Sequence, residues 1–528
     1  VLSLLIAARL CNPIALSKVE EWAAQSGADI LWGIPAEKLN DDRCGRCLDA
    51  LLDQRHSILA SVALRVCDEF NVPLKEVHYD PTHIRFTGAY EDAEPREGVV
   101  GADLVRSDDS LKPAYITKGR GTDDAPDGAL MIHAGLCTVV DEFGPLPLFG
   151  HTVDGNQNGH TAVAEQFALF RKHLQPPELT MFSDRGTFSI GHLGRLKKDG
   201  FYAVCSAPWH EFKPLFDQHR SLLKWKKASY LSVEQERRRK DKSDLPLEYY
   251  ELATVRHTLV DEESKEEIRC RVIFVFSTAD QKVVRKQRQK QIEKLRQGLE
   301  GLQRSVAGGN RSTDENSVAR RVGELFGKKQ AARYFRWQMV PLTAEERSAL
   351  PAPRRGCKKP THRFVFEFDE EVLKQDELDD GYSALVTTTP PEQDSVDSIF
   401  KKFKQQNYSE HVNHQFKGPL AVRPVFLQSP HRVEALIFLM MIASTAYFLL
   451  QRIYRQSAPQ DAKPKDRRTT TETILQAFNT YVLLVHRTRL GREVQATRLT
   501  TRQRELLQRL GFPTPAQVLR QRLPRPPT

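Results

Sequence analysis

The chain has 528 residues, enough for about three or four domains. Hydrophobic residues make up 40% and charged residues 28%, which excludes disordered and fibrous classes. Lys and Arg number 78 against 68 Asp and Glu, a net charge of +10 that inclines the chain toward a polyanionic partner, nucleic acid above all. The eight cysteines are scattered rather than spaced as a disulfide framework, so a reducing compartment, the cytoplasm, is expected.

In chain order, residues 1–72 are predicted to be a helical N-terminal region. Its first segment, VLSLLIAARL, lacks the basic flank and the cleavage site of a secretory signal, and the Val1 start leaves open a segment upstream. Strand signals begin at Val77: VHYDPTHIRFTG alternates and is rich in β-branched and aromatic residues. A polar loop follows, then two strand-like runs, ALMIHAGLCTVVD and PLPLFGHTV. After them come a helix from His160 to Leu174, the strand LTMFSDRG, a helix closed by Gly200, and the strand FYAVCSAP. Strands that are first grouped and then alternate with helices predict an α/β fold. Residues 73–207 are therefore read as the first part of one domain.

From Trp209 the texture changes. Residues 208–375 are strongly basic and mix strands with one long charged helix, Gln281–Arg304, and are read as a β-rich insertion. The strand GYSALVTTT then returns, so residues 376–455 are expected to complete the interrupted domain. It leads into SVDSIFKKFKQQNYSEHVNHQFK (395–417), predicted as one amphipathic helix capped by Asp394 or Ser395. Val396, Ile399, Phe400 and Phe403 form its apolar side, which continues as Gln406, Glu410, His414 and Lys417. Residues 456–528 are predicted to be a linker and a basic helical tail.

Three acids stand where strands, or the helix beside them, end: Asp80 inside the first strand, Asp184 at the end of LTMFSD, and Glu410 on the helix after the last strand. A charge in an apolar strand is costly unless something positive neutralises it. Carboxylates converging on two divalent cations satisfy that need, and such a pair activates water or a hydroxyl and stabilises the leaving oxygen of a phosphodiester. The competing reading makes each acid an ordinary strand-end or loop residue.

On these segments the chain resembles the DDE transposases of bacterial insertion sequences, whose catalytic domain is RNase H-like. HYDPTHIRFTG is similar to the first-aspartate strand, and GPLPLFGHTVDGNQNGHTA to the stretch ending in a Gly-Asn turn. LTMFSDRGTFS is similar to the second-aspartate segment. DGYSALVTTTP, the following helix, and FKGPLAVRPVFL with its apolar helix match the region around the glutamate. The resemblance implies an RNase H-like mixed sheet interrupted by a β-rich insertion, with Asp80, Asp184 and Glu410 as catalytic and metal-binding residues. It implies two Mg²⁺ ions, with Mn²⁺ as a substitute. One group of the family carries Tyr, Arg, Glu and Lys at fixed spacing, and the corresponding positions here are Phe403, Gln406, Glu410 and Lys417. Glu410 and Lys417 match, so Lys417 carries over as a DNA phosphate contact. Phe403 and Gln406 do not match. The implied partners are inverted-repeat DNA ends, target DNA and a second copy of the chain on paired ends, at the nucleoid. The alternative is a non-catalytic DNA-binding protein derived from a transposase.

Other signals are weaker. RRRK at 237–240, the long helix, RYFRW at 333–337 and PRRGCKKP at 353–360 suggest a DNA-backbone surface. A solvated charged face competes with that reading. For the long helix, with its Ile292, Leu295, Leu299 and Leu302 stripe, a helix–helix contact also competes. Cys44 and Cys47 lack a second pair at zinc-finger spacing and are read as helical thiols. His151 and His160 flank a turn and could approach the metal site, or lie at the surface. GRG at 119–121 lacks the Lys-Ser/Thr of a phosphate loop, so no nucleotide cofactor is expected. Glu434 is the rival third acid, but no lysine stands seven residues on. Within the apolar helix Val433–Leu450 the charge-free run Ala435–Leu450 is short of the ~20 residues of a membrane span; a single anchor competes, but the helix is expected to pack on the sheet, with no membrane partner.

Overall fold

The structure, a computed structural model, describes residues 1–95, 112–119, 129–157, 159–198, 200–240, 248–262, 264–309, 314–350, 352, 359–418, 427–459, 467–488 and 491–522. The fold is the predicted mixed α/β class. Its main strands are β1 (Glu76–Phe86), β2 (Thr117–Lys118), β3 (Leu130–Asp141), β4 (Gly144–Asp154), β5 (Thr180–Ser183), β6 (Tyr202–Ala207), β7 (Lys226–Lys227), β8 (Tyr250–Val260) and β9 (Glu267–Ser277). The separate pair β10 (Phe335–Pro341) and β11 (His362–Phe368) precedes β12 (Tyr382–Thr387). Ten strands form one mixed sheet in the order β2-β3-β1-β5-β6-β12-β9-β8-β7, with β4 paired to β3.

The chain divides into two compact units, one of residues 1–207, 256–272 and 386–528, the other of residues 208–255 and 273–385. In the first unit β3 runs antiparallel to both β1 and β4, whereas β5 runs parallel to β1 and to β6. β4 is buried along its whole length, which its run PLPLFGHTV allows because no charged residue interrupts it before Asp154. Gly135 on β3 makes room for the Tyr79 ring, because a side chain there would collide with the Tyr79 hydroxyl.

The apolar helix runs Pro430–Gln456, longer than its charge-free run, because Pro430 starts it at N1 and polar residues extend its far end. It is the one helix, among the described residues, long and apolar enough by itself to cross a membrane, and 83% of its apolar window is buried inside the protein. It packs on β4 and on the helices Leu2–Cys11 and Asp41–Asp53. Phe438, Leu439, Met440 and Ala443 are fully buried, and each large apolar side chain so placed contributes about 1.5–3 kcal/mol relative to exposure. The C-terminal region carries a hairpin, β13 (Leu483–Thr488) and β14 (Gly491–Ala496), besides its helices Thr471–Gln476 and Thr501–Leu510.

In the second unit the long helix spans Thr278–Ala307, capped by Ser277. Its stripe of Ile292, Leu295, Leu299 and Leu302 is buried with Val318 and Val322 of the helix Glu315–Phe326 and with Tyr334, Phe335 and Phe364, so it packs on the β10–β11 pair as well as on a helix. Asp380 fastens the same helix by accepting from Arg285 and Arg288.

The predicted single helix over 395–417 is two. Val396–Lys404 is capped by Ser395, whose hydroxyl accepts from the Ser398 amide, while Asp394 binds Lys402 at 2.7 Å. The chain turns at Gln405, and a second helix runs Gln406–Lys417.

Candidate active site

Parallel pairing sets the position of the two aspartates. β1 and β5 are in register up to Tyr79 opposite Ser183. The next residue after each is an aspartate: Asp80, inside β1, and Asp184, just past the end of β5, on neighbouring parallel strands about 4.8 Å apart. In α/β sheets ligands bind at the carboxyl ends of such strands. β1 continues to Phe86 against β3 alone, so Pro81, with no amide hydrogen, lies beyond the last residue paired with β5.

Asp184 is exposed and starts a short 3₁₀ turn, Arg185–Thr187. Its Oδ1 accepts from the Arg185 amide at 2.7 Å, and its carbonyl accepts from the Thr187 hydroxyl at 2.7 Å. Glu410 is exposed on the second helix and Lys417 half-buried near that helix's end.

Asp80 feels all of them. Burial raises its pKa to about 6, a hydrogen bond from Asn413 opposes that rise, the charges of Glu410 and Asp184 add to it, and Lys417 opposes it. The residues singled out in the sequence thus converge electrostatically on one carboxyl. They do not form a closed cage: among the described residues no three His, Cys, Asp or Glu side chains stand close enough together to hold a metal ion. The donors are all hard oxygens, the chemistry Mg²⁺ prefers.

The helix is strapped to β1 by two amide side chains seven residues, two turns, apart. Gln406 is buried. Its Nε2 donates to the Tyr79 carbonyl at 3.1 Å, so its Oε1 accepts from His78 Nδ1 at 3.0 Å. That fixes the His78 tautomer, and burial lowers the His78 pKa to about 4, which keeps the ring neutral. The ring stacks on Phe182 at 4.9 Å. Asn413 Nδ2 donates to Asp80 Oδ2 at 2.8 Å and to the Asp80 carbonyl at 3.2 Å.

These contacts correct the predicted polar face. Gln406, Ser409, Asn413 and Phe416 form the buried side of the second helix, whereas Glu410 and His414 are exposed. Ile399, Gln406 and Asn413 stand seven residues apart and are all buried, so the buried side passes through Gln406 to Ser409, Asn413 and Phe416, and Glu410 lies outside it. Asn413 escaped the sequence reading. Its only signal is position, three residues after Glu410 and seven after Gln406.

The other candidates fall out differently. Glu434 is buried, accepting from the Ala114 amide at 2.8 Å and from the Thr152 hydroxyl, with Arg55 at 3.7 Å. It is a structural carboxylate of the apolar helix. Cys44 and Cys47 lie on the helix Asp41–Asp53, and burial pushes the Cys44 thiol up to about 11, far from a metal-binding thiolate. His151 is buried on β4 with its ring 6.3 Å from that of Tyr79. His160 falls in the helix Gly159–Leu174, but its side chain lies outside the described residues, as do Arg354, Arg355 and Lys358 of PRRGCKKP and most of GRG.

RYFRW is spent on structure. Tyr334 and Phe335 are buried, and Trp337 stacks on Phe364 at 5.9 Å. Arg333 pairs with Asp376, and Arg336 with Asp369 at 2.7 Å. Of RRRK, Arg238 pairs with Glu234 at 3.0 Å. The long helix keeps a basic row: Lys282, Lys286, Lys290 and Lys294 are exposed at four-residue steps, with no acid within ion-pair distance among the described residues. Comparison with protein-family models and with curated protein sequences returns no match.

Proposed function

We propose that this chain is a DNA transposase of the DDE type, cleaving the ends of its own element and joining them to target DNA by transesterification. The observation that carries the reading is the register of β1 and β5. Asp80 in β1 and Asp184 just past β5 each follow the last residues paired between the two strands, and the Glu410 helix is strapped to β1, which supports the reading. Asp80 with Glu410 would hold one Mg²⁺ or Mn²⁺ and Asp80 with Asp184 the other. Two such ions, when bound, lower the pKa of the attacking water or hydroxyl and offset charge on the leaving oxygen. Asp80, with a pKa of about 6, is ionised at neutral pH and available to a cation. Lys417 offers an ammonium to a DNA phosphate beside the carboxylates. In the first step water attacks the end phosphodiester, and the bond to the 3′ oxygen breaks to leave a 3′-OH. In the second step that hydroxyl attacks a target phosphodiester and displaces a target 3′ oxygen. The row Lys282, Lys286, Lys290 and Lys294 supplies sequence-independent backbone contact. Pairing of two ends calls for two copies of the chain, acting at the nucleoid of the cytoplasm.

A second reading, a non-catalytic DNA-binding protein derived from a transposase, is favoured by two observations. Gln406 stands where the resembling group carries a phosphate-contacting arginine, and it is turned into the core. The carboxylates do not close on one another.

A supercoiled plasmid carrying the DNA that flanks the gene separates the two. The proposed function predicts strand cleavage at the element ends in Mg²⁺, leaving a 3′-OH, and none in EDTA. Tight end binding without cleavage in either Mg²⁺ or Mn²⁺ supports the second reading.

A further inference from the structure

Asn413 has an amide whose orientation is set by its neighbours. Its Nδ2 faces the Asp80 carbonyl and the Asp80 carboxylate, both acceptors, so the nitrogen and not the oxygen must point at them. The residue is only 7% exposed. Its Oδ1, bonded to the same carbon, is fully buried and meets no hydrogen-bond donor among the described residues. A buried carbonyl without a partner is unusual enough to need a reason. Here it belongs to the amide that holds the Asp80 carboxylate, on a residue three positions after Glu410 in the same helix. Asparagine carbonyls are ordinary ligands of hard divalent cations, and a neutral oxygen adds a ligand without adding a further charge to repel the carboxylates.

We propose that Asn413 is a ligand and positioning residue of this site: its amide nitrogen holds Asp80, and its carbonyl Oδ1 coordinates the divalent cation that Asp80 binds. The inference rests on the metal-dependent reading of the site and adds to it a residue that the three acids omit.

The test is Mn²⁺ and Cd²⁺ binding to the full-length chain without DNA, followed by electron paramagnetic resonance for Mn²⁺ and calorimetry for Cd²⁺. Far-UV circular dichroism and thermal melts check that each variant folds. Asn413→Ala is expected to weaken Mn²⁺ binding at least tenfold. Asn413→Cys exchanges a hard donor for a soft one, and is expected to weaken Mn²⁺ while tightening Cd²⁺ at least tenfold over the parent chain. A residue that only holds Asp80 in place cannot produce that switch of metal preference. Mn²⁺ binding by Asn413→Ala equal to the parent overturns the proposal and leaves the metal-dependent reading standing, provided Asp80→Ala abolishes binding. Weakening of both metals in Asn413→Cys overturns the ligand role. If the parent chain itself binds no Mn²⁺, or Asp80→Ala binds as well as the parent, the metal-dependent reading falls and the proposal with it.

Discussion

Asp80 is the residue on which the account turns, and its stability cost is measurable without any DNA. Its pKa is raised above the usual carboxylate value, so between about 3.8 and 6 the folded chain binds a proton that the unfolded chain releases. Its contribution to stability is therefore present below about 3.8 and is lost as pH rises through about 6. His78 acts in the opposite sense. Its pKa is lowered to about 4, so the unfolded chain protonates first, and stability falls as pH drops from about 6.5 toward 4. In the parent chain the two trends oppose each other between pH 4 and 6. Asp80→Asn keeps an acceptor for Asn413 and removes the charge. It is expected to raise the thermal midpoint of the metal-free chain at pH 7.5, by the equivalent of about 1–3 kcal/mol at one pKa unit per ~1.4 kcal/mol. It also unmasks a steeper loss of stability between pH 6 and 4. An unchanged midpoint at pH 7.5 would contradict the burial of this carboxylate. The sequence showed Asp80 as an odd charge in an apolar strand. It did not show that Asn413 would serve it, because an amide on a helix has no sequence mark separating a strap from a surface residue.

At the scale of elements, the helix Gln406–Lys417 belongs to β1 more than to the helix before it. Periodicity identified both segments, yet it ran them together, because neither Gly nor Pro marks the turn at Gln405 and the polar residues beyond it continue at helical steps. The inward side is set by which amides find partners on β1, His78 and Tyr79 for Gln406 and Asp80 for Asn413. Those are long-range partners that no local pattern encodes. The strand register was legible only in part. Both aspartate strands were recognised, but their parallel pairing, which sets Asp80 and Asp184 just beyond their last paired residues, depends on contacts about a hundred residues apart in the chain. Gln406→Ala removes two buried hydrogen bonds, to Tyr79 and His78, so it is expected to cost about 2–3 kcal/mol in urea denaturation. Gln406→Arg, which restores the residue of the resembling group, must bury a guanidinium against neutral His78. It is expected to destabilise by at least as much and to yield no gain in cleavage. A stable Gln406→Arg chain with raised activity would show that the helix turns Gln406 outward.

At the scale of the molecule, composition set the basic block from Trp209 onward apart from the alternating strands and helices before it, yet β7, β8 and β9 of that block are strands of the ten-stranded sheet. What composition could not sort was which basic residues serve structure. The arginines of RYFRW have acid partners and its aromatics fill a core, whereas the lysine row of the long helix has neither. Replacing Lys282, Lys286, Lys290 and Lys294 together by Glu is expected to leave the melting behaviour of the chain unchanged. DNA affinity is expected to fall at low salt, and the slope of log affinity against log salt to shrink by roughly 0.9 per lost phosphate contact. An unaltered salt slope would remove this helix from the DNA-binding surface. The apolar helix Pro430–Gln456 matches a membrane span in length and composition, but its burial against β4 gives it a core role in its own unit.

The most direct measurement is cleavage of the flanking-DNA plasmid in Mg²⁺ by the parent chain beside Asp80→Ala, Asp184→Ala and Glu410→Ala, each checked for folding and for end binding. All three variants are expected to bind the ends, and each to lose cleavage by at least a thousandfold. Cleavage at the parent rate by any one of them would contradict a site built on these three carboxylates.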